Sequence, residues 1–201
     1  MVSVQCPSHD FDAIYASETP PGWDIGRPQP AFDRLAKAGD LVGSVLDPGC
    51  GTGEHALLAA SLGHEVVGVD ISAKAIELAM TKATERGVEA RFLVGDALRL
   101  VDLGEQFDTV LDCGLFHVLD DDKRERYVDS LAAVVRPGGR YHMLCFNDHQ
   151  PGDWGPRRVT QDEVRATFCE GWNVESIEPT VIDITWDPAG ALAWQVAATR
   201  T

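Results

Sequence analysis

Basic residues are scarce in this chain. Its 17 Lys and Arg stand against 32 Asp and Glu, a formal net charge of −15, and no Lys/Arg-rich run appears in the 201 residues. A nucleic-acid backbone or an anionic membrane surface would be repelled, so neither is an expected partner. Long apolar runs are missing too, none approaching the roughly 20 residues a membrane helix needs. Met1 to Asp10 has neither a basic start nor an apolar segment, and no secretory leader is expected. Cys6, Cys50, Cys113, Cys145 and Cys169 form no C-x-x-C pair, and their odd number argues against a complete disulfide framework. Reduced thiols and a cytoplasmic location follow as expectations.

What is there is ordinary for a globular protein: 44% hydrophobic and 24% charged residues. The length fits one domain, 1–201, with a full core. The clearest break is Thr19 to Pro30, where Pro20, Pro21, Pro28 and Pro30 surround Gly22 and Gly26. Prolines fix φ and lack the N–H donor, so this stretch is neither helix nor strand. Short helices are predicted on either side, over Asp10 to Ala16 and Ala31 to Ala38.

Beyond residue 40, strands and helices alternate. Strands are predicted at Val42 to Asp47, Glu65 to Asp70, Ala90 to Val94, Phe107 to Leu111 and Arg140 to Phe146. Helices fall at Glu54 to Leu62, Ala73 to Arg86, and from Asp121 or Asp122 to Val135, with Ser72 and Gly87 as caps. Such alternation implies βαβ units and a parallel sheet covered on both faces. A helix at Thr160 to Phe168 precedes two β-rich stretches, Trp172 to Ile184 and Ala193 to Thr199. The break at Asp187-Pro188-Ala189-Gly190 is too short for a crossover helix, so the last strand is antiparallel. The expected fold is α/β: a doubly wound, seven-stranded, mostly parallel sheet with an antiparallel last strand.

In open sheets of this kind ligands bind beyond the carboxyl ends of the strands, where strand order reverses. The first strand runs into Asp47-Pro48-Gly49-Cys50-Gly51-Thr52-Gly53, whose alternate glycines permit a tight turn and close ligand approach. A dinucleotide fingerprint would need a third glycine where Glu54 stands. That carboxylate at a helix N-terminus, with Asp47 beside it, is wrong for a diphosphate and suits a sulfonium and an ammonium. An oxidoreductase using a nicotinamide cofactor is therefore disfavoured. Asp70 ends the second strand, where an acid can take both ribose hydroxyls. Asp96 follows the third strand, suited to an adenine amino group, and Asp112 the fourth. Each alone reads equally well as a turn former; four at consecutive strand ends do not.

V-L-D-P-G-C-G-T-G-E-H resembles motif I of class I S-adenosylmethionine-dependent methyltransferases. G-V-D-I-S resembles their ribose motif and G-D-A-L their adenine motif. F-D-T-V-L-D-C-G-L-F-H-V-L and R-P-G-G-R-Y resemble later landmarks, so the match spans residues 42 to 146. The resemblance implies the Rossmann-like methyltransferase fold, with S-adenosyl-L-methionine bound and S-adenosyl-L-homocysteine released. It further implies that Gly49, Cys50, Gly51 and Thr52 line the methionine portion above Asp47. Asp70 and Ile71 would hold the ribose, Asp96 and Ala97 the adenine, and Asp112 and Cys113 border the methyl donor. The Pro20 to Pro30 segment resembles the N-terminal cap of the thiopurine- and tellurite-resistance-like group. It is closer to small actinobacterial enzymes that methylate hydroxylated quinolones. That implies a cap over residues 1–40, with Trp23 and Arg27 near the methionine carboxylate.

Methyl transfer asks the protein to align the nucleophile, exclude water and, where needed, remove a proton. His117, just past the fourth strand, and His149, in the loop after the fifth, are the candidate bases; each also reads as a plain polar residue, solvated in the case of His149. His142, inside the fifth strand, reads as structural. Phe11, Tyr15, Phe116 and Trp154 could roof a pocket for a flat acceptor, though each alone is as ordinary in a core. No residues are assigned to a metal. The expected reaction is methylation of a hydroxyl, or a ring nitrogen, on a small aromatic heterocycle such as a hydroxyquinolone. S-methylation of small thiols or chalcogen anions is the alternative, and an adenosylmethionine sensor the non-enzymatic one. The expected partner is a small-molecule acceptor, and the chain a monomer or homodimer.

Overall fold

Local signals set the elements. The computed structural model describes residues 10–201, so the expectations for a leader, and Cys6, lie outside the described residues. Helix α1 (Phe11–Tyr15) is capped by Asp10, and α2 (Pro30–Ala38) begins on a proline at its first turn and ends on Gly39. Helix α4 (Ala73–Arg86) starts where the Ser72 hydroxyl accepts from the Ala75 N–H and stops at Gly87, φ +63°. A cap of that kind is worth about 1 kcal/mol. Its inward stripe, Ala75, Ile76, Ala79 and Ala83, is small enough to bring the helix close to the sheet. Helix α3 (Glu54–Ser61), α5 (Asp121–Val134) and α6 (Gln161–Thr167) complete the set. Asp120, not the later aspartates, caps α5, and Thr160 and Glu163 form a reciprocal capping box on α6.

The seven strands are β1 (Val45–Pro48), β2 (Val66–Asp70), β3 (Arg91–Val94), β4 (Phe107–Cys113), β5 (Val135–Phe146), β6 (Trp172–Ile184) and β7 (Asp187–Arg200). They form one sheet of order β3-β2-β1-β4-β5-β7-β6, with β7 antiparallel to both neighbours and the other pairs parallel. The expected fold class is thereby observed. Helices α2, α3 and α4 cover one face, burying Phe32, Leu57 and Ile76; α5, α6 and a 3-10 segment (Ala97–Leu103) cover the other, burying Tyr127, Leu131 and Val164. Strand order reverses between β1 and β4, which opens the crevice at their carboxyl ends.

One expected turn is displaced. The β6–β7 hairpin turns at Thr185–Trp186, and Asp187 to Gly190 belong to β7. There Ile184 pairs with Asp187 and Ile182 with Ala191, so several β7 residues bulge opposite Asp183 alone. Gly190 supplies the positive φ, +71°. The Pro-Gly signal is real, but it marks a bulge rather than the tip.

Candidate functional site

Backbone geometry at the end of β1 follows from its glycines. Gly49, at φ +70°, and Gly51, at φ +51°, curl the loop so that Gly49 and Cys50 both donate to the Val69 carbonyl on β2. A Cβ on Gly51 would stand 2.6 Å from the Tyr15 hydroxyl. The N-terminal segment therefore lies directly on this loop. Trp23 donates from Nε1 to that hydroxyl at 3.0 Å, and the Thr52 hydroxyl donates to Asp24 at 2.8 Å. Asp12 of α1 accepts from the Ser72 hydroxyl and the Lys74 N–H.

Three carboxylates are buried at neighbouring strand ends. Asp47 accepts from the Ala56 N–H in the first turn of α3. Asp70 accepts from Gly51 and Ser72 N–H groups at 2.8 and 2.9 Å. Asp112 accepts from the Tyr127 and Tyr141 hydroxyls, 2.9 and 2.7 Å, and from the Leu115 and Phe116 N–H groups. Burial pushes all three carboxyls up: Asp112 to about 6, Asp70 above its usual range, and Asp47 well above it, the last also repelled by Asp112 and Asp70. Among the described residues, none of the three has a Lys or Arg partner. Ile71, two-thirds exposed, and the exposed Asp96, which caps the 3-10 segment through the Leu98 N–H, lie at the ends of β2 and β3, with Ala97 half-buried beside it. Cys113 is half-buried at the end of β4.

Several expected roles need correction. Glu54 does not face the loop: Lys82 and Arg86 of α4 neutralise it, Arg86 through both guanidinium nitrogens at 2.8 Å. The uncompensated negative character comes from Asp47 and Asp70, since Asp24 beside Thr52 faces Lys82 at 3.7 Å. Asp112 is turned inward onto two tyrosines, a framework carboxylate with no free oxygen. Arg27 does not reach the loop but pairs with Asp183 of β6 at 2.6 Å. Phe116 is fully buried, stacked on Phe168 and covered by the Arg124 guanidinium at 4.6 Å. Tyr15 sits over the glycine loop rather than roofing an acceptor pocket, and Phe11 is half-buried on α1.

His117 is buried, and its Nδ1 accepts the Phe146 N–H at 2.8 Å. With that lone pair engaged, the proton belongs on Nε2. Burial, and then the nearby charges of Arg124 and Arg158, hold the imidazole neutral, down to about 3. It is a donor and has no lone pair left for a general base. His149 is exposed and packs against the Trp194 ring at 5.7 Å. His142 is buried in β5, and neither ring nitrogen has a hydrogen-bond partner among the described residues.

Trp186 and Arg158 escaped the sequence reading. The Trp186 ring packs against Gly22, where a Cβ would stand 1.4 Å from it, and meets Trp154 edge to face at 5.6 Å. The Arg158 guanidinium binds the carbonyls of Gln150, Pro151, Gly152, Trp154 and Pro156 and so shapes the loop that carries Trp154. No local signal announces either, because the partners are carbonyls and a glycine surface.

A doubly wound sheet with this strand order and a glycine loop flanked by strand-end acids defines a methyltransferase architecture. A methyltransferase domain family matches residues 45–139. The chain is 36% identical over 178 residues to a 2-heptyl-1-hydroxyquinolin-4(1H)-one methyltransferase of Mycobacteroides abscessus, covering 84% of this chain and 78% of that one. It is 30% identical to a probable thiol methyltransferase of Arabidopsis thaliana, covering 74% and 66%. A solved structure from work on converting a disulfide bond into a thioacetal group in echinomycin biosynthesis is also similar. It shares 39% identity and a TM-score of 0.84, covering 94% of this chain and 91% of that one. The chain belongs to the S-adenosylmethionine-dependent methyltransferases. No described helix is long and apolar enough to cross a membrane.

Proposed function

We propose that the protein moves a methyl group from S-adenosylmethionine to a hydroxyl, or a ring nitrogen, of a small aromatic heterocycle of the hydroxyquinolone type. The observation that carries this is the pair of buried carboxylates at the ends of β1 and β2, Asp47 and Asp70, neither with a Lys or Arg partner among the described residues. A sulfonium and an ammonium would relieve their mutual repulsion, whereas a diphosphate would aggravate it. The donor would supply an electrophilic methyl on a positively charged sulfur. Gly49, Cys50, Gly51 and Thr52 would hold its methionine part, Asp70 and Ile71 the ribose, and Asp96 and Ala97 the adenine. Trp23 and Tyr15 would close over it and exclude water.

The relative acting on a hydroxyquinolone covers most of both chains and supports the choice of acceptor class. Transfer to sulfur is the second reading, favoured by the likeness to a thiol methyltransferase and to the thioacetal-forming system. Adenosylhomocysteine release from the purified protein, followed over hydroxyquinolones, phenols and thiols, separates them. Turnover confined to thiols would remove the heterocycle reading.

A further inference from the structure

The crevice is electrically two-sided. One side holds Asp47 and Asp70, neither with a Lys or Arg partner among the described residues. The other holds Arg158, whose guanidinium is bound by carbonyls and by no carboxylate among the described residues. Arg124, with Asp121 and Glu163 at 4.0 and 3.6 Å, lies on that side too. Between them, His117 Nε2 carries its proton over Gly114, 3.0 Å from where a Cβ would stand, with no partner among the described residues. From His117 a continuous aromatic row runs outward: Phe146 at 4.9 Å, Trp154 at 5.6 Å and Trp186 at 5.6 Å, each contact edge to face. Burial falls along it, from His117 and Phe146, nearly enclosed, to Trp186, more than half exposed.

We propose that the acceptor is a planar ring whose nucleophilic oxygen is already ionised, accepting a hydrogen bond from His117 Nε2–H while the ring lies along the Phe146–Trp154–Trp186 row. This rests on the methyltransferase reading and adds the charge state and pose of the acceptor. An uncompensated guanidinium and a fixed N–H donor stabilise an oxyanion where a carboxylate-lined pocket would repel it. The transfer then needs no base. An oxygen lone pair forms the new C–O bond, the C–S bond breaks, and its electron pair stays on sulfur. Cation and anion become a neutral thioether and a neutral ether, and no proton moves in that step. Substituents on the far side of the ring exit past Trp186 to solvent.

The test uses the full chain saturated with adenosylhomocysteine, and 2-heptyl-1-hydroxyquinolin-4(1H)-one as a probe whose absorbance reports ionisation. The bound probe should ionise at a pH at least about one unit lower than free probe, a tenfold shift in the equilibrium. Arg158→Gln should return much of that shift. So should His117→Asn, which keeps an oxygen for the Phe146 N–H but removes the Nε2 donor. His117→Asn should also lose more turnover, about tenfold or greater, with oxygen acceptors than with thiols, because sulfur accepts hydrogen bonds poorly. Trp186→Ala should weaken probe binding about tenfold and leave adenosylhomocysteine affinity unchanged. A probe bound in its neutral form, or equal losses for oxygen and sulfur acceptors, would overturn the proposal while adenosylhomocysteine binding stands. Absence of that binding in the unaltered protein would remove both readings.

Discussion

Gln29 and Asp183, 154 residues apart, pair as if the glutamine side chain were a strand. Its Oε1 accepts from the Asp183 N–H at 2.8 Å and its Nε2 donates to the Asp183 carbonyl at 3.0 Å. Asp183 is free to do this because the β7 bulge opposite it interrupts the ladder. Arg27 binds the Asp183 carboxylate, and the Gln29 N–H donates to His55 on α3. The N-terminal segment is thus fastened to β6 and to α3 at one point.

Gln29→Ala leaves both main-chain groups of Asp183 without their partner in a half-buried place. A loss of about 1–3 kcal/mol in folding stability is expected from urea midpoints at constant slope. Adenosylmethionine affinity should fall with it, because the same segment carries Tyr15 and Trp23. A stability loss with unchanged affinity would mean that the segment contributes nothing to the donor site.

Asp112 sets a pH dependence of stability with an unusual sign. Burial raises its carboxyl from the usual 3.8 to about 6, so the folded protein holds the proton more tightly than the unfolded chain. Its contribution is therefore fullest below pH 4 and declines as pH rises to 6, by about 3 kcal/mol in all. Asp112→Asn removes that slope. Relative to the variant, the unaltered protein should lose about that much between pH 4 and pH 7 in denaturant titrations; parallel curves would contradict the assignment.

Binding of a cationic donor should release protons. Asp47 and Asp70 both have raised carboxyls, and a positive ligand favours their ionised forms. Affinity should therefore strengthen as pH rises, and calorimetric enthalpies should vary with the ionisation heat of the buffer. Adenosylhomocysteine, lacking the sulfonium, should release less. Enthalpies that ignore the buffer would count against a carboxylate-lined donor site.

Gly22→Ala tests the contact between the N-terminal segment and the hairpin tip. Its Cβ would overlap the edge of the Trp186 ring, 1.4 Å from Cζ3 and 1.9 Å from Cε3, so the ring must shift from its place against Trp154. The KM for an aromatic acceptor should rise about tenfold, with a small change in stability because Trp186 is more than half exposed and free to move. An unchanged KM would show that Trp186 takes no part in holding the acceptor.

Much of the fold was legible because it is local. Ser72, Gly87 and the alanine stripe of α4 act within a few residues, and the predicted Ala73–Arg86 matches the helix observed. The antiparallel last strand followed from a connection too short for a helix. Within the site, the glycine loop and the strand-end acids could be listed from the sequence, but their directions could not. Asp112 looked like Asp47 and Asp70, yet the hydroxyls of Tyr127 and Tyr141, from α5 and β5, turn it away from any ligand. Glu54 looked like a guard at a helix end until α4 brought Lys82 and Arg86 to it.

Chain order, helix caps and the run of β and α units were determined by sequence alone, since periodicity, glycine φ and proline geometry are properties of neighbouring residues. The tertiary structure decided which carboxylates stay uncompensated, that His117 donates rather than accepts, and where Trp186 lies. Those outcomes depend on hydrogen bonds and ring contacts between elements distant in the chain. The Phe146 N–H that fixes the His117 tautomer lies on β5, 29 residues away, and a bulge, not the turn that its residues advertise, carries Trp186 to the hairpin tip.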